Sequence, residues 1–346
     1  MLALVGNSPS SGSTFLADLL DSTDYSACGP ELGLLCNNKI YNFDNFKLNP
    51  HIRSSISSLY TSGSRIDFSQ LPCYGIGEKN FLELLKKSNS LTEFINKFAY
   101  NFLVLRNKNT EGVVFEKTPQ NITCIGEFLK NFPKSYFIHV VRNPAYVYLS
   151  LKKRDFSPYI ALGTWLIEVA KYVKYKSNPN VILVKYEDLV SKPYSMISDI
   201  MQRILGVDLS ANEIEKSYAN NKYRAIFEVK LPTWSIKQHG IIANANKSNF
   251  CVSELTWLKS LMNYKISTGY AEKFDLAKIS FVDALKEFGY YDWFLEKTSS
   301  INGDEPIPIS LRDKMFFIKK WLLDFKGGFA KTRDLKYYMS PLEKCE

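Results

Sequence analysis

The chain lacks the residue patterns that would build several common kinds of site. Its six cysteines (Cys28, Cys36, Cys73, Cys124, Cys251, Cys345) form no CxxC or Cys/His ligand spacing. They read as reduced, mostly buried thiols, neither a disulfide frame nor a metal site. No uninterrupted apolar run is long enough to cross a bilayer. The opening "MLALVG" has no basic leader and too short an apolar core for a signal peptide. A soluble cytoplasmic protein is therefore expected. No dense Arg/Lys run interleaved with aromatics occurs, so nucleic acid is not an expected partner. Histidine is scarce, with three in 346 residues, so few imidazole bases are on offer. His139 sits inside an apolar strand, where a satisfied core residue is expected. His51 has no motif around it, and His239 lies in a loop rich in Gly, Asn and Lys.

What is present is an ordinary folded composition, 45% hydrophobic and 23% charged, which excludes wholesale disorder. The net charge of +9 suits anionic ligands. Short apolar runs alternate with helical spacing. Leu2 to Ser22 reads as strand, tight loop, helix. Tyr25 to Pro50 reads as irregular and Phe81 to Phe102 as helical. "GVVFEKTPQN" (Gly112 to Asn121) is a strand ending in a polar turn, and Gln120 to Asn131 a helix. The clearest buried strand is Tyr136 to Val141, followed by Pro144 at a helix's first turn. Tyr159 to Tyr175 is helical, and "NVILVKYEDL" (Asn180 to Leu189) is a strand running into a turn. Helical patterns return at Glu254–Tyr264 and Phe281–Phe294. This alternation predicts an α/β fold, a parallel β-sheet flanked by helices, with ligands at the carboxyl ends of the strands. Residues 1–300 are expected to form a single domain. Residues 301–346 are expected to add an amphipathic, basic and aromatic helical extension packed on it, with contact to a second copy or a membrane surface as alternatives. A homodimer is compatible with this pattern.

The stretch "ALVGNSPSSGSTFLADLLDS" from Ala3 resembles a phosphate-binding loop without its lysine. A nucleoside-triphosphate loop needs G-x-x-x-x-G-K-[ST]. Here Gly6 and Gly12 stand one residue too far apart, and Ser13 occupies the lysine's place. A kinase or GTPase is disfavoured, though a small-molecule kinase of P-loop type stays open as the alternative. The loop would aim backbone N–H groups at an anion on the helix's positive end; a plain Ser/Gly helix cap is the competing view. A second constellation lies further on. Arg142 follows a buried strand, Ser150 comes eight residues later, and Arg154 lies one turn beyond. Two guanidiniums and a hydroxyl make a clamp for a second phosphate, unless Arg142 is merely a surface ion-pair residue. A nucleotide held at two phosphate groups would explain both features.

On these residues the chain resembles sulfotransferases that use 3′-phosphoadenosine 5′-phosphosulfate (PAPS), closest in motif to bacterial and tyrosine-protein types. The family's P-[RK]-S-G-[ST]-[ST] loop is matched by "PSSGST", Pro9 to Thr14. Its Arg-then-Ser motif is matched by "VRNPAYVYLSLKKR", and "FEKTPQN" and "VKYEDLVSKP" resemble its intermediate strands. The resemblance covers about Leu2 to Pro193 and implies the nucleotide-kinase-like sulfotransferase fold. It implies that Ser10, Ser11, Gly12, Ser13 and Thr14 hold the 5′-phosphosulfate, without a metal. Arg142 and Ser150 would hold the 3′-phosphate, with Arg154 nearby and Tyr186 beside the nucleotide. Lys237, Gly240 and Lys247 resemble the loop that closes over it.

The resemblance also implies the chemistry. The K-T-H histidine of cytosolic sulfotransferases is absent, since Lys117 and Thr118 are followed by Pro119. Glu31, in "CGPEL", matches a catalytic glutamate of tyrosine-protein sulfotransferases and would take the acceptor's proton. Lys117 would stabilise the leaving phosphate. An ordinary loop carboxylate and a solvated strand-end lysine are the plain alternatives. Ser10 departs from the family, which usually has Arg or Lys there. That departure leaves open a slow enzyme or a catalytically degenerate protein that binds the product 3′,5′-bisphosphate (PAP). The leading expectation is sulfuryl transfer to a hydroxyl, less readily an amine, of a small molecule such as a natural product. Acceptor contacts are expected from Tyr25–Arg65, Ser157–Trp165 and the region after Tyr223.

Overall fold

The computed structural model describes residues 1–36, 38–48, 68–220, 250–301, 307, 309–326 and 341–345. Five short apolar segments form its main sheet: β1 (Leu2–Asn7), β2 (Ser26–Cys28), β3 (Val113–Lys117), β4 (Phe137–Val141) and β5 (Val181–Lys185). They lie in the order β2-β3-β1-β4-β5, and every pairing is parallel. Parallel neighbours require crossovers, and helices supply them. Before β5 these are α1 (Ser13–Leu20), α2 (Phe43–Leu48), α3 (Glu78–Lys87), α4 (Leu91–Leu105), α5 (Ile125–Asn131), α6 (Pro144–Lys152) and α7 (Pro158–Tyr175). After it come α8 (Tyr186–Ser191), α9 (Pro193–Leu205), α10 (Ala211–Ala219), α11 (Val252–Leu261), α12 (Thr268–Phe274), α13 (Phe281–Glu287), α14 (Tyr291–Thr298) and α15 (Leu311–Lys326). A separate pair, β6 (Tyr264–Ile266) and β7 (Leu342–Lys344), is antiparallel.

Alternate strand residues pack on opposite faces, as the two-residue period requires. Ala3, Val5, Ile138 and Val140 meet Leu16 and Leu20 of α1 and Ile197 and Met201 of α9. Leu4, Phe137 and Val141 belong to the opposite cluster, with Phe94, Phe98 and Phe102 of α4 and Trp165 and Val169 of α7. Ile307, Phe317 of α15 and Leu342 of β7 join this second cluster. Among the described residues no helix is long and apolar enough to cross a membrane. None of the six cysteines is in a disulfide; Cys251 and Cys345 are exposed and the other four buried.

Several expected boundaries move. The stretch read as irregular contains the edge strand β2 and helix α2, each too short for periodicity to show. The helical pattern from Phe81 to Phe102 is two helices, because the Ser90 side chain accepts the Glu93 N–H and starts α4 afresh. Phe281–Phe294 divides at Gly289, whose φ of 72° ends α13. The turn expected after β5 is helix α8.

The register sets the strand ends level along one edge. Val5 lies opposite Lys117, Asn7 opposite Val140 and Val141 opposite Lys185. The loop after β1, Lys117 at the end of β3, Arg142 after β4 and Tyr186 after β5 therefore share the carboxyl edge, where ligands of open parallel sheets bind.

His139 lies in the core as expected but is only half satisfied there, since its Nε2 is buried with no hydrogen-bond partner among the described residues. It is fully buried, its Nδ1 donates to Gly6 O at 3.2 Å, and its ring stacks on Tyr172 at 4.7 Å. Burial lowers its pKa to about 3, against a weaker opposing effect of the Gly6 hydrogen bond. Its folded pKa thus lies below its unfolded value near 6.5. The unfolded chain takes up a proton that the native state refuses, so this residue's stability contribution is lost as pH falls below 6.5. Between pH 7.5 and 5 the loss is about 2 kcal/mol. His139→Gln keeps a donor for Gly6 and cannot titrate. Denaturant unfolding at the two pH values should show wild type losing about 2 kcal/mol more than the variant on acidification. Equal losses would contradict the assignment.

Candidate active site

Between Asn7 and Ser13 the backbone reverses through two left-handed residues, Ser10 (φ 69°) and Gly12 (φ 92°). The Ser11 N–H donates to Ser8 O at 3.2 Å and closes the turn. Gly12 is required twice over. Its φ disfavours a side chain, and a Cβ would stand 2.2 Å from Tyr186 Cδ2. Gly12 also caps α1 without a side chain, and the helix's first turn carries no acidic residue. Phe15 and Leu16 N–H donate to Gly12 O at 3.0 and 3.2 Å, leaving the Ser13 and Thr14 amides with no acceptor among the described residues. Ser8 Oγ and Ser11 Oγ are buried, and neither has a hydrogen-bond partner there. Buried hydroxyls and helix-start amides left in this state form a cradle for an anion.

Arg142 leaves β4 directly beneath this loop. It is 8% exposed, and its Nη1 donates to Ser10 O at 3.2 Å. Its guanidinium lies 4.4 Å from the Tyr186 ring centroid and 5.8 Å from that of Tyr146. Trp165 Nε1 donates to Arg142 O at 2.9 Å and fixes the backbone from behind. Burial lowers the pKa of Arg142, while nearby Tyr186 and Glu187 work the other way; a guanidinium remains charged at any physiological pH. Its Nε is buried with no partner among the described residues. Tyr186 thus separates the loop's tightest point from the arginine, touching both. Glu187 beside it accepts the Asn143 N–H at 3.1 Å and the Tyr290 hydroxyl at 2.8 Å, tying the β4 and β5 ends together.

On the other side of β1, Lys117 ends β3 with its side chain fully buried. Its Nζ stands 2.7 Å from Glu31 Oε1, whose side chain is 31% exposed. The lysine is thus held inside while the carboxylate reaches outward. The loop bearing Glu31 is anchored by a residue that the sequence did not single out, Glu116. This buried carboxylate accepts the N–H groups of Leu32 (3.2 Å) and Gly33 (3.0 Å), the Thr118 hydroxyl (2.5 Å) and Asn121 Nδ2 (2.6 Å). Burial raises its pKa, and those hydrogen bonds oppose the rise. The available signal was a carboxylate, a threonine and an asparagine within six residues of an apolar strand's end.

The remaining expected residues divide. Ser13 and Thr14 open α1 in the cradle. Ser150 lies half-buried on α6. Arg154, expected beside a 3′-phosphate, reaches the loop itself, where its Nη2 donates to Ser10 Oγ at 3.0 Å. Lys237, Gly240 and Lys247 lie outside the described residues, as does much of the expected acceptor region. Within Ser157–Trp165, Tyr159 to Trp165 are buried behind Arg142 and form core. Among the described residues no three His, Cys, Asp or Glu side chains are grouped as a metal would need.

The edge therefore carries a lysine-free anion cradle, a buried arginine beneath it and a buried lysine paired with a reachable carboxylate. The sulfotransferase family model matches residues 4–210, and the chain belongs to that family. Solved structures similar to it include the sulfotransferase domain of the Synechococcus PCC 7002 olefin synthase, with TM-score 0.48 and 19% identity over 72% of this chain and 88% of that one. Sulfotransferase STF9 from Mycobacterium avium has TM-score 0.35 and 14% identity over 63% and 66%. Sulfotransferase STF1 from Mycobacterium tuberculosis H37Rv has TM-score 0.36 and 13% identity over 63% and 70%. No curated protein matches the chain.

Proposed function

We propose that this sulfotransferase takes its sulfuryl group from PAPS and delivers it to a hydroxyl of a small molecule in the cytoplasm. One observation carries this: donors without partners line a loop that has no lysine, on the same sheet edge as the Lys117–Glu31 pair. The donor set suits the nucleotide. Amides of Ser13 and Thr14 and the hydroxyls of Ser11, Ser13 and Thr14 would hold the 5′-phosphate. Arg142, with Ser150 on the following helix, would hold the 3′-phosphate, with Tyr186 against the nucleotide. When bound, PAPS supplies an activated sulfonate that forms a bond to the acceptor oxygen and leaves the electron pair of the broken bond on PAP.

The chain's own residues then have separate tasks. Glu31 accepts the acceptor hydroxyl's proton as its oxygen becomes the nucleophile. Lys117, rigid and desolvated, meets the negative charge that develops on the departing phosphate. Glu116 holds the loop carrying Glu31 by two backbone amides, so base and lysine keep their spacing. A carboxylate base favours hydroxyl over amine acceptors.

The test is a labelling experiment. The protein is incubated with sulfur-labelled PAPS, or with phosphorus-labelled ATP and Mg²⁺, and a panel of phenols, alcohols and amines. Label transferred from PAPS to hydroxyl compounds is the expected result. Label transferred only from ATP would establish the kinase alternative instead.

A further inference from the structure

Arg142 and Arg154 both converge on Ser10, and they do so differently. Arg142 binds its carbonyl oxygen from within the core, whereas Arg154 binds its side-chain hydroxyl from an exposed turn. That turn is well defined. Asp155 N–H donates to Lys152 O at 2.9 Å and Phe156 N–H to Leu151 O at 3.3 Å, with Asp155 left-handed at φ 60°. This pattern closes a helix end and fixes the direction of the residue before it. The Phe156 ring, 5.7 Å from the Arg154 guanidinium, further limits where it points. Glu31 is close enough that its charge favours the arginine's cationic form, against a larger effect of burial. Arg154 thus binds the loop at Ser10 and lies within electrostatic range of Glu31.

We propose that Arg154 binds the sulfonate of PAPS, supplying from the end of α6 the cation that the loop itself lacks at Ser10. This rests on the proposed function, which assigns the 5′-phosphate to the loop and the acceptor to Glu31. The group being transferred lies between those two, and Arg154 is hydrogen-bonded to the loop and within the electrostatic range of Glu31. A guanidinium suits the task because its planar fork donates to two oxygens at once while staying charged. Ser10 Oγ holds the fork in place until those oxygens arrive. The 3′-phosphate is then left to Arg142 and Ser150.

The proposal separates two nucleotides that differ only in the sulfonate. Wild type and Arg154→Ala are titrated calorimetrically with PAPS and with PAP, without any acceptor. The side chain is exposed, so the substitution leaves the fold intact, which a melting curve checks. Arg154→Ala should lose about tenfold in PAPS affinity while its PAP affinity stays within about twofold. A parallel loss for both nucleotides would make Arg154 a phosphate ligand and overturn the proposal, as would no change for either. In both cases tight PAP binding by wild type would leave the proposed function standing. Wild type that binds neither nucleotide would remove the proposed function and this inference with it.

Discussion

Replacing Glu31 by glutamine is expected to lower the rate of sulfuryl transfer by roughly 10²- to 10⁴-fold, the usual contribution of a positioned general base. Glutamine is nearly isosteric and still accepts a hydrogen bond from Lys117 Nζ, which stands 2.7 Å from the carboxylate in the native pair. The loop keeps its anchors, because the Leu32 and Gly33 amides bind Glu116 rather than Glu31. Only the capacity to take a proton is lost. PAP affinity should therefore remain within about twofold of wild type, and the loss should fall on kcat. A variant with kcat within about threefold of wild type would return Glu31 to the role of an ordinary ion-pair residue. The readout is steady-state transfer to whichever acceptor the labelling panel identifies, beside a PAP titration of the same protein.

Arg142→Ala should produce the largest loss in nucleotide binding, about 3 kcal/mol or some 150-fold for PAP. Three features add to this estimate. The guanidinium is nearly buried, so its contacts with an anion are made in a weakly screened setting. It holds the loop through Ser10 O, so its removal loosens the cradle as well as the clamp. It also fills the space beside Tyr186, whose ring limits the approach to Gly12. Arg142→Lys restores the charge but neither the fork nor the stacking, and should recover less than half of the lost binding energy. The backbone carbonyl that accepts Trp165 Nε1 is unaffected by either change, so both variants should fold. PAP affinity within about threefold of wild type in Arg142→Ala would contradict the assignment.

The candidate site was legible where its residues stand at strand ends along the chain. The Ser/Gly loop between a buried strand and a helix, the arginine one residue past a second strand, and the lysine ending a third could all be found by position along short apolar runs. A parallel sheet then brings such strand ends together with no further information from the sequence. Relations between distant segments were not legible. Nothing in "FEKTPQN" states that Glu116 faces inward and binds amides eighty-odd residues earlier, because a buried carboxylate is identified only by its partners. Arg142 and Arg154 both follow β4 and both reach Ser10, but which atom each binds, the carbonyl oxygen or the side-chain hydroxyl, depends on the turn at Asp155 and could not be read from spacing. Edge strand β2 has three residues, too few for any alternation, and gains its identity from pairing with β3. The divided helices at Ser90 and Gly289 show the same limit. Apolar spacing continues across the breaks, and a cap or a left-handed glycine interrupts it.

The central claim is that the lysine-free loop and Arg142 together hold a nucleotide with separate 3′- and 5′-phosphate groups and no metal. Calorimetric titration of the wild-type protein with PAP in the presence of EDTA, beside ATP with Mg²⁺, tests it most directly. Micromolar or tighter PAP binding, about −8 kcal/mol, with weaker or no binding of ATP–Mg²⁺, is the expected result. Binding of ATP–Mg²⁺ with no heat from PAP would contradict the account.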